Sequence, residues 1–333
     1  MELKGKALFN LLRISWMEDK TIEVKPWQVE DLRDLNIEKL FFRLKQLGII
    51  LDEESFYLYA ENCESPEELL ECVWIEEEEL EGREQTYLLV FELWRRLLPE
   101  KLCLSVFCDE LDQLIELYDS GELEDEELLQ KALAILEDVL DDSTDKEGDP
   151  KKVFRELALY CAHDLERFIA DYILDLIAEK NETYASELID EFHDYVRNTR
   201  RFDFLRARLI ALSDLEESNL IYGRVLEDLQ DNPDLELILQ MAESLTTHGD
   251  VKLFMLSVKL ALPLLHTEEE FQHLLTTVAE FYRCLDRDQE ENAVRSLLNT
   301  RAQYPLDKRL DPSDKGISHF AHLIATGTRR TPG

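Results

Sequence analysis

The sequence predicts an all-α protein: an acidic helical N-terminal bundle followed by an antiparallel helical-hairpin array of the α-solenoid kind. Three observations carry that reading. Apolar residues recur three and four positions apart along almost the whole chain, which is the period of one helix face. Only 10 Gly and 9 Pro interrupt 333 residues, below the average usage of about 7% and 5%, which disfavours sandwiches, barrels and glycine-cradled phosphate sites. Beyond residue 232, helical patterns alternate with turns of two or three residues, and connections that short force antiparallel neighbours. The length corresponds to roughly two domains at ~150 residues each.

The elements follow in order. Lys4 and Lys6 precede an apolar stretch that Arg13 interrupts and that Glu18 and Asp19 follow. A secretory signal needs an unbroken apolar region and a small-residue cleavage site, and no run approaches the ~18 apolar residues that span a bilayer. A cytoplasmic protein is expected. Thr21 to Lys25 alternates like a strand but has no partner, so it reads as an extended loop ending at Pro26. Asn36 caps a helix with apolar face Leu40, Phe41, Leu44 and Leu47, which Gly48 stops. Asp52 begins another, carrying Phe56, Tyr57 and Tyr59. Ser65-Pro66-Glu67-Glu68 combines a capping hydroxyl, Pro at the first helical position and acids in the first turn. Between about Glu77 and Leu98, Leu80, Tyr87, Phe91, Trp94 and Leu98 form one helix face.

Asp141 to Pro150 (DDSTDKEGDP) holds no apolar residue and reads as a linker. It divides an acidic domain over 1–146 from a hairpin array over 150–305, with a tail over 306–333. After it, Val153, Leu157, Phe168, Tyr172 and Leu176 mark a buried stripe, on one long helix or on two broken near His163. Tyr184, Leu188, Phe192 and Tyr195 share the next face. Helices then run from about Phe202 to Leu212 and from Leu215 to Leu229, the second stopping at Asp231-Asn232-Pro233. In the tail, Ser313 is placed to cap a short helix that buries Ile317, Phe320, Leu323 and Ile324, either docked or free as an interaction motif.

Asn232 to Pro263 starts a helix near Pro233, sets small Ala242 within it, turns at Gly249 and places small Ala261 late in a second helix. The following unit repeats the small residue at Ala279, with Tyr282 three positions on, and sets Ala293 twelve residues before Pro305. This stretch resembles a degenerate tetratricopeptide unit. Phe254 stands where that family prefers a small residue, the Ala242–Ala279 interval is 37 rather than 34, and the Trp-Leu-Gly-Tyr run is missing. The resemblance implies a concave groove for a peptide or partner helix and no catalytic centre.

The chain holds 74 acids and 37 bases, a net charge of −37. The sign argues against nucleic acid and anionic membrane surfaces as partners. It is also localised: residues 51–150 hold 33 acids and 6 bases, whereas residues 1–50 hold 8 and 9. Glu76, Glu77, Glu78, Glu79, Glu124, Asp125 and Glu126 are therefore candidates for docking a basic protein segment, although acids in first helical turns are also favoured by the dipole alone. The counterweight is Arg197, Arg200, Arg201, Arg206 and Arg208, five bases in twelve residues with only Asp203 among them. They serve either to pair with the acidic half or to hold an anion or partner, since Arg forks suit phosphates.

Catalytic chemistry finds little support. His163-Asp164 and His193-Asp194 offer the residue types of a helical metal-dependent phosphohydrolase, yet each sits in an ordinary amphipathic pattern. Glu270 and His273 have the i,i+3 spacing of di-iron bundles, which need two such elements; Asp190 and His193 are a poor second copy. Glu116 to Glu127 places Gly and Glu as an EF-hand does but puts Glu116 and Tyr118 where Asp or Asn must ligate. The six cysteines contain no CxxC pair and read as buried reduced thiols. Trp16, Trp27, Trp74 and Trp94 read as packing residues. The function expected is therefore non-catalytic protein–protein interaction, as adaptor, scaffold or chaperone. It would use the array, the acidic surface or both, with no cofactor and no metal, and no oligomeric state is read. The metal-dependent phosphohydrolase is the first alternative, and an acidic secretion-type chaperone or regulator the second.

Overall fold

A computed structural model describes residues 3–74, 80–311 and 313–327. Its regular elements are helices, with no β-strand among the described residues beyond one isolated bridge, Thr267 to Arg309. No described helix is long and apolar enough to cross a membrane. Two compact units divide the chain, Met1–Ile169 and Ala170–Gly333.

The first unit contains α1 (Ala7–Glu18), α2 (Pro26–Val29), α3 (Ile37–Gln46), α4 (Glu53–Ala60), α5 (Pro66–Val73), α6 (Leu80–Leu97), α7 (Leu104–Asp119), α8 (Glu126–Glu147), α9 (Pro150–Leu157) and the start of α10 (Leu165–Ala178). The expected starts are present. Asn36 Oδ1 accepts from Lys39 N at 2.9 Å, Asp52 Oδ1 from Ser55 N at 2.9 Å and Ser65 Oγ from Glu68 N at 3.3 Å. Gly48 follows α3 with φ +87°, the left-handed conformation that only Gly adopts without penalty.

Helix α6 is the centre of this unit. Thr86 to Trp94 are buried without a break, as in a helix surrounded on all sides. Around it lie α3, α5 and the turn at Leu32–Asp34, which contribute Leu40, Leu44, Leu69 and Leu32 to a core shared with Phe56, Phe91 and Trp94. Leu80 is 70% exposed, so the buried face begins further along the helix than its apolar spacing suggests. Glu92 is buried among these apolar residues and is held by Arg95 (2.7 and 3.0 Å) and Arg96 (2.5 Å). Arg96 also donates to the carbonyls of Leu32, Arg33 and Leu35, at 3.0, 2.8 and 2.5 Å, and so fixes the turn against α6.

The expected linker at Asp141–Pro150 is corrected. Helix α8 continues through Glu147 and ends on Gly148, whose φ is +80° and whose N–H reaches Thr144 O at 2.7 Å. Leu129, Leu133, Leu136 and Leu140 anchor α8, and extending an anchored helix by exposed residues is far easier than nucleating one. The compact units divide at Ile169, so residues 146–150 lie inside the first of them. The stretch after Pro150 is broken near His163: α9 ends at Leu157, a 3₁₀ turn follows, and α10 starts at Leu165.

The second unit continues with α11 (Glu182–Phe192), α12 (Thr199–Ile210), α13 (Leu215–Asp231), α14 (Leu235–His248), α15 (Val251–Ala261), α16 (Glu268–Cys284), α17 (Asp288–Arg301) and α18 (Lys315–Gly327). Helix α12 packs on α13, α14 on α15 and α16 on α17; α13 also touches α15, and α14 touches α16. Ala242, Ala261 and Ala279 are buried, and their small size lets neighbouring helices approach. Phe254 lies flat on Phe281, with ring centroids 3.6 Å apart and planes 8° apart, which gives the large residue at that position a partner across α15 and α16.

The tail is docked. Phe320 and Ile324 are buried, and Phe320 meets Phe271 edge-to-face at 5.7 Å. Leu310 N bonds His266 O at 2.9 Å and Glu268 N bonds Lys308 O at 2.8 Å. Beneath lies a buried ion pair in which Arg301 grips Glu268 through Nε (2.7 Å) and Nη2 (2.5 Å) while its Nη1 holds Asp314 at 2.9 Å. Ser313 does not cap α18: its N–H and hydroxyl both turn back to Asp311, and Asp314 takes the Gly316 N–H at 2.6 Å.

Candidate functional site

In the first unit the break before α10 creates a polar centre. Asp112 on α7 is buried and accepts from Ala162 N (2.8 Å), His163 N (3.1 Å) and His163 Nδ1 (3.0 Å). Those backbone donors are the ones the interrupted helix leaves unsatisfied. One turn earlier, Asp109 is equally buried and meets Lys6 at 2.9 Å, Arg33 at 2.6 Å and the Asn10 amide at 2.9 Å. Arg13 and Glu116 close the edge in a two-pronged pair, at 3.2 and 2.5 Å. A His oriented by a buried Asp resembles a general-base dyad, but the cavity it faces measures about 30 Å³. That is room for a water molecule, against the 300–1,000 Å³ of ligand sites. The centre joins α1, the Leu32 turn, α7 and the start of α10.

Burial works to raise the Asp109 carboxyl, and Lys6, Arg33 and Asn10 outweigh it, so its pKa lies below the ordinary carboxylate value. Glu92 is lowered in the same way, with Arg95 first among the groups that overcome burial. Unfolded carboxylates titrate near pH 4. Both groups thus stabilise the folded unit above that range, and the contribution is lost as pH falls through their lowered folded values. Acid titration followed by near-ultraviolet circular dichroism is expected to show the first unit losing structure below about pH 4. Asp109→Asn should lower stability at pH 7 and flatten that acid limb; an unchanged limb would show that Asp109 is not a source of it.

The two His-Asp dipeptides lie in different units. His193 is paired with Asp194 and Asp203, each at 3.3 Å, and Asp190 with Arg206 at 2.7 Å. Glu270 turns back to cap its own helix, accepting from His266 N and Thr267 N at 2.5 and 2.9 Å, while His273 pairs with Glu243 of α14 at 3.0 Å. The i,i+3 residues therefore do not converge. Among the described residues no group of three or more His, Cys, Asp or Glu is arranged to hold a metal ion. The cysteines are free thiols, of which Cys72 and Cys284 are exposed; Cys63 Sγ lies 3.8 Å from Cys72 Sγ.

The arginine cluster is split by the helix it sits on. Arg200 meets Asp228 and the Asn232 carbonyl, buried Arg201 meets Glu236 at 3.2 Å and Asp171 at 3.8 Å, and Arg206 meets Asp190. All of these carboxylates belong to the second unit. Exposed Arg197 is also engaged. Arg208 differs, because among the described residues it makes no hydrogen bond or ion pair. It lines a cavity of about 460 Å³ between α12, α13 and α14, with Ser218, Tyr222, Ser244 and Leu245. The Tyr222 hydroxyl lies 2.6 Å from Ser244 Oγ. Burial pushes the Tyr222 phenol up to about 12 against the opposing pull of Ser244 and of the Arg208 charge.

The acidic candidates fall in two places. Glu76, Glu77, Glu78 and Glu79 lie outside the described residues. Glu124, Asp125 and Glu126 are exposed at the start of α8, where Asp125 accepts from Glu127 N at 3.0 Å as the cap. A surface not anticipated lies on α4 and α5. Residues 52–71 hold eight acids and no base, and Tyr57, Leu58 and Tyr59 stand 42%, 68% and 48% exposed. The signal was present: three successive large apolar residues on one short helix cannot all face its core. Glu53, Glu54, Glu61 and Glu64 around them are exposed and carry no side-chain partner among the described residues. Compared with known proteins, the chain matches no family model, no curated protein and no solved structure.

Proposed function

We propose that this chain is a non-catalytic binding protein that takes a basic, amphipathic segment of another protein on the α4–α5 surface of its first unit. The supporting observation is the coincidence of exposed Tyr57, Leu58 and Tyr59 with unpaired carboxylates in a stretch that carries no base. Aromatic and aliphatic anchors ringed by charge are the anatomy of a binding hot spot, and complementary charge sets approach rate and partner choice. Glu124, Asp125 and Glu126 are further exposed acids of the same unit, at the start of α8. In the second unit, the paired helices α12–α13, α14–α15 and α16–α17 begin 36 and 33 residues apart. Each pair also touches the next, which supports reading this unit as a short α-solenoid of tetratricopeptide type serving as the scaffold.

The test uses a fluorescent amphipathic peptide with Lys and Leu on opposite faces, and a second peptide with Glu in place of Lys. The Lys peptide is expected to bind, to weaken about tenfold or more between low and physiological salt, and to be lost with Leu58→Asp. Binding that ignores salt, or that survives Leu58→Asp, would refute the assignment.

A further inference from the structure

The cavity beside Arg208 lies in the second unit and is independent of the surface proposed above. Its volume, about 460 Å³, falls within the range of small-molecule sites. Its chemistry is specific enough to name a ligand class. Arg208 supplies five N–H donors in a planar fork that matches a carboxylate, and among the described residues none of them is spent on a protein carboxylate. Glu243 lines the same cavity, and its carboxylate is held by His273 at 3.0 Å.

The hydroxyls can be counted. Ser218 Oγ donates to Ala207 O at 2.8 Å and Thr246 Oγ1 to Glu243 O at 2.6 Å, so both hydrogens are used and both oxygens keep lone pairs for a donor. Tyr222 and Ser244 share one hydrogen between them, which leaves the other to donate outward. Ile177, Leu212 and Leu245 supply the apolar wall. A single cation beside a carboxylate suits a monoanion better than a phosphate dianion, which ordinarily takes more than one positive group.

We propose that this cavity binds an acylamino carboxylate with an apolar side chain, the chemistry shared by a free N-acyl amino acid and the C-terminal residue of a peptide. Arg208 takes the carboxylate. Ser218 and Thr246 oxygens accept the amide N–H, the Tyr222–Ser244 pair donates to the acyl carbonyl, and Ile177, Leu212 and Leu245 receive the side chain.

The experiment titrates the full chain with N-acetyl-L-leucine, N-acetyl-L-leucinamide, a tetrapeptide ending in Leu and isobutyl phosphate, followed by saturation-transfer NMR. Saturable binding of N-acetyl-L-leucine or of the tetrapeptide is expected, and the tighter of the two identifies the source. The amide and the phosphate should bind at least about tenfold more weakly, a difference of about 1.4 kcal/mol. Arg208→Gln should weaken the acid by the same factor with the melting temperature unchanged, and Tyr222→Phe and Ser244→Ala provide independent variants. Equal binding of acid and amide, tighter binding of the phosphate, an Arg208→Gln protein that binds as well as the parent, or no saturable binding of either acid would each overturn the proposal.

Discussion

Glu268→Ala is expected to destabilise the second unit by about 3–5 kcal/mol, because it strands a buried guanidinium without its carboxylate. Glu268 and Arg301 are 0% and 4% exposed, and Arg301 is also stacked on Phe271, 4.7 Å from its ring centroid. At about 2–4 °C per kcal/mol for a domain of 150–250 residues, the melting temperature should fall by roughly 6–20 °C. The pair also anchors Asp314, so limited proteolysis of the variant should cleave between Leu306 and Lys315 under conditions where the parent resists. Gly316 makes the same point from the other side: a Cβ there would meet Arg301 Nη1 at 2.5 Å. A variant that melts and digests like the parent would show that Asp314 alone holds Arg301 in place.

Asp112→Ala should cost the first unit about 2–6 kcal/mol, as two backbone N–H groups, of Ala162 and His163, lose their acceptor at about 1–3 kcal/mol each. Asp112→Asn keeps one acceptor oxygen and should recover part of the loss. The same variants carry a second readout. Asp112 accepts from His163 Nδ1, which places the ring proton on that nitrogen. NMR of the imidazole nitrogens should therefore show the Nδ1–H form in the parent and a shift toward Nε2–H in Asp112→Ala. A parent already in the Nε2–H form would remove the polar centre as the account of how α10 begins.

Much of this architecture was legible because helix starts are local. Asn36, Asp52 and Ser65 each cap the backbone three residues ahead, and the spacing that predicts them is the spacing that makes the bond. Helix ends were harder. Asp141 to Glu147 looks like a linker because it lacks apolar residues, yet a helix already anchored by Leu133, Leu136 and Leu140 needs none, and the real stop is the positive φ of Gly148. The sites depend on distance along the chain. Asp112 finds His163 across 51 residues, and Arg301 finds Glu268 across 33. Five arginines that look alike in sequence separate into four that are engaged and one that faces a cavity, since for the four on α12 each contact is set by where the helix turns its side relative to α10, α11, α13 and α14. The exposed Tyr57-Leu58-Tyr59 run is readable from its own pattern, because three successive large apolar residues on a short helix cannot all face its core.

The docked tail has a bearing on assembly. A stack of helical hairpins leaves its last pair with an uncovered side, and there a further repeat, or another copy of the chain, finds a ready template. In this chain α18 packs on α17 and sets Phe320 edge-to-face against Phe271. Any helix brought to that face would first have to displace α18 from α17 and break the Arg301–Asp314 contact that precedes it, so the interior of this unit is closed by its own chain.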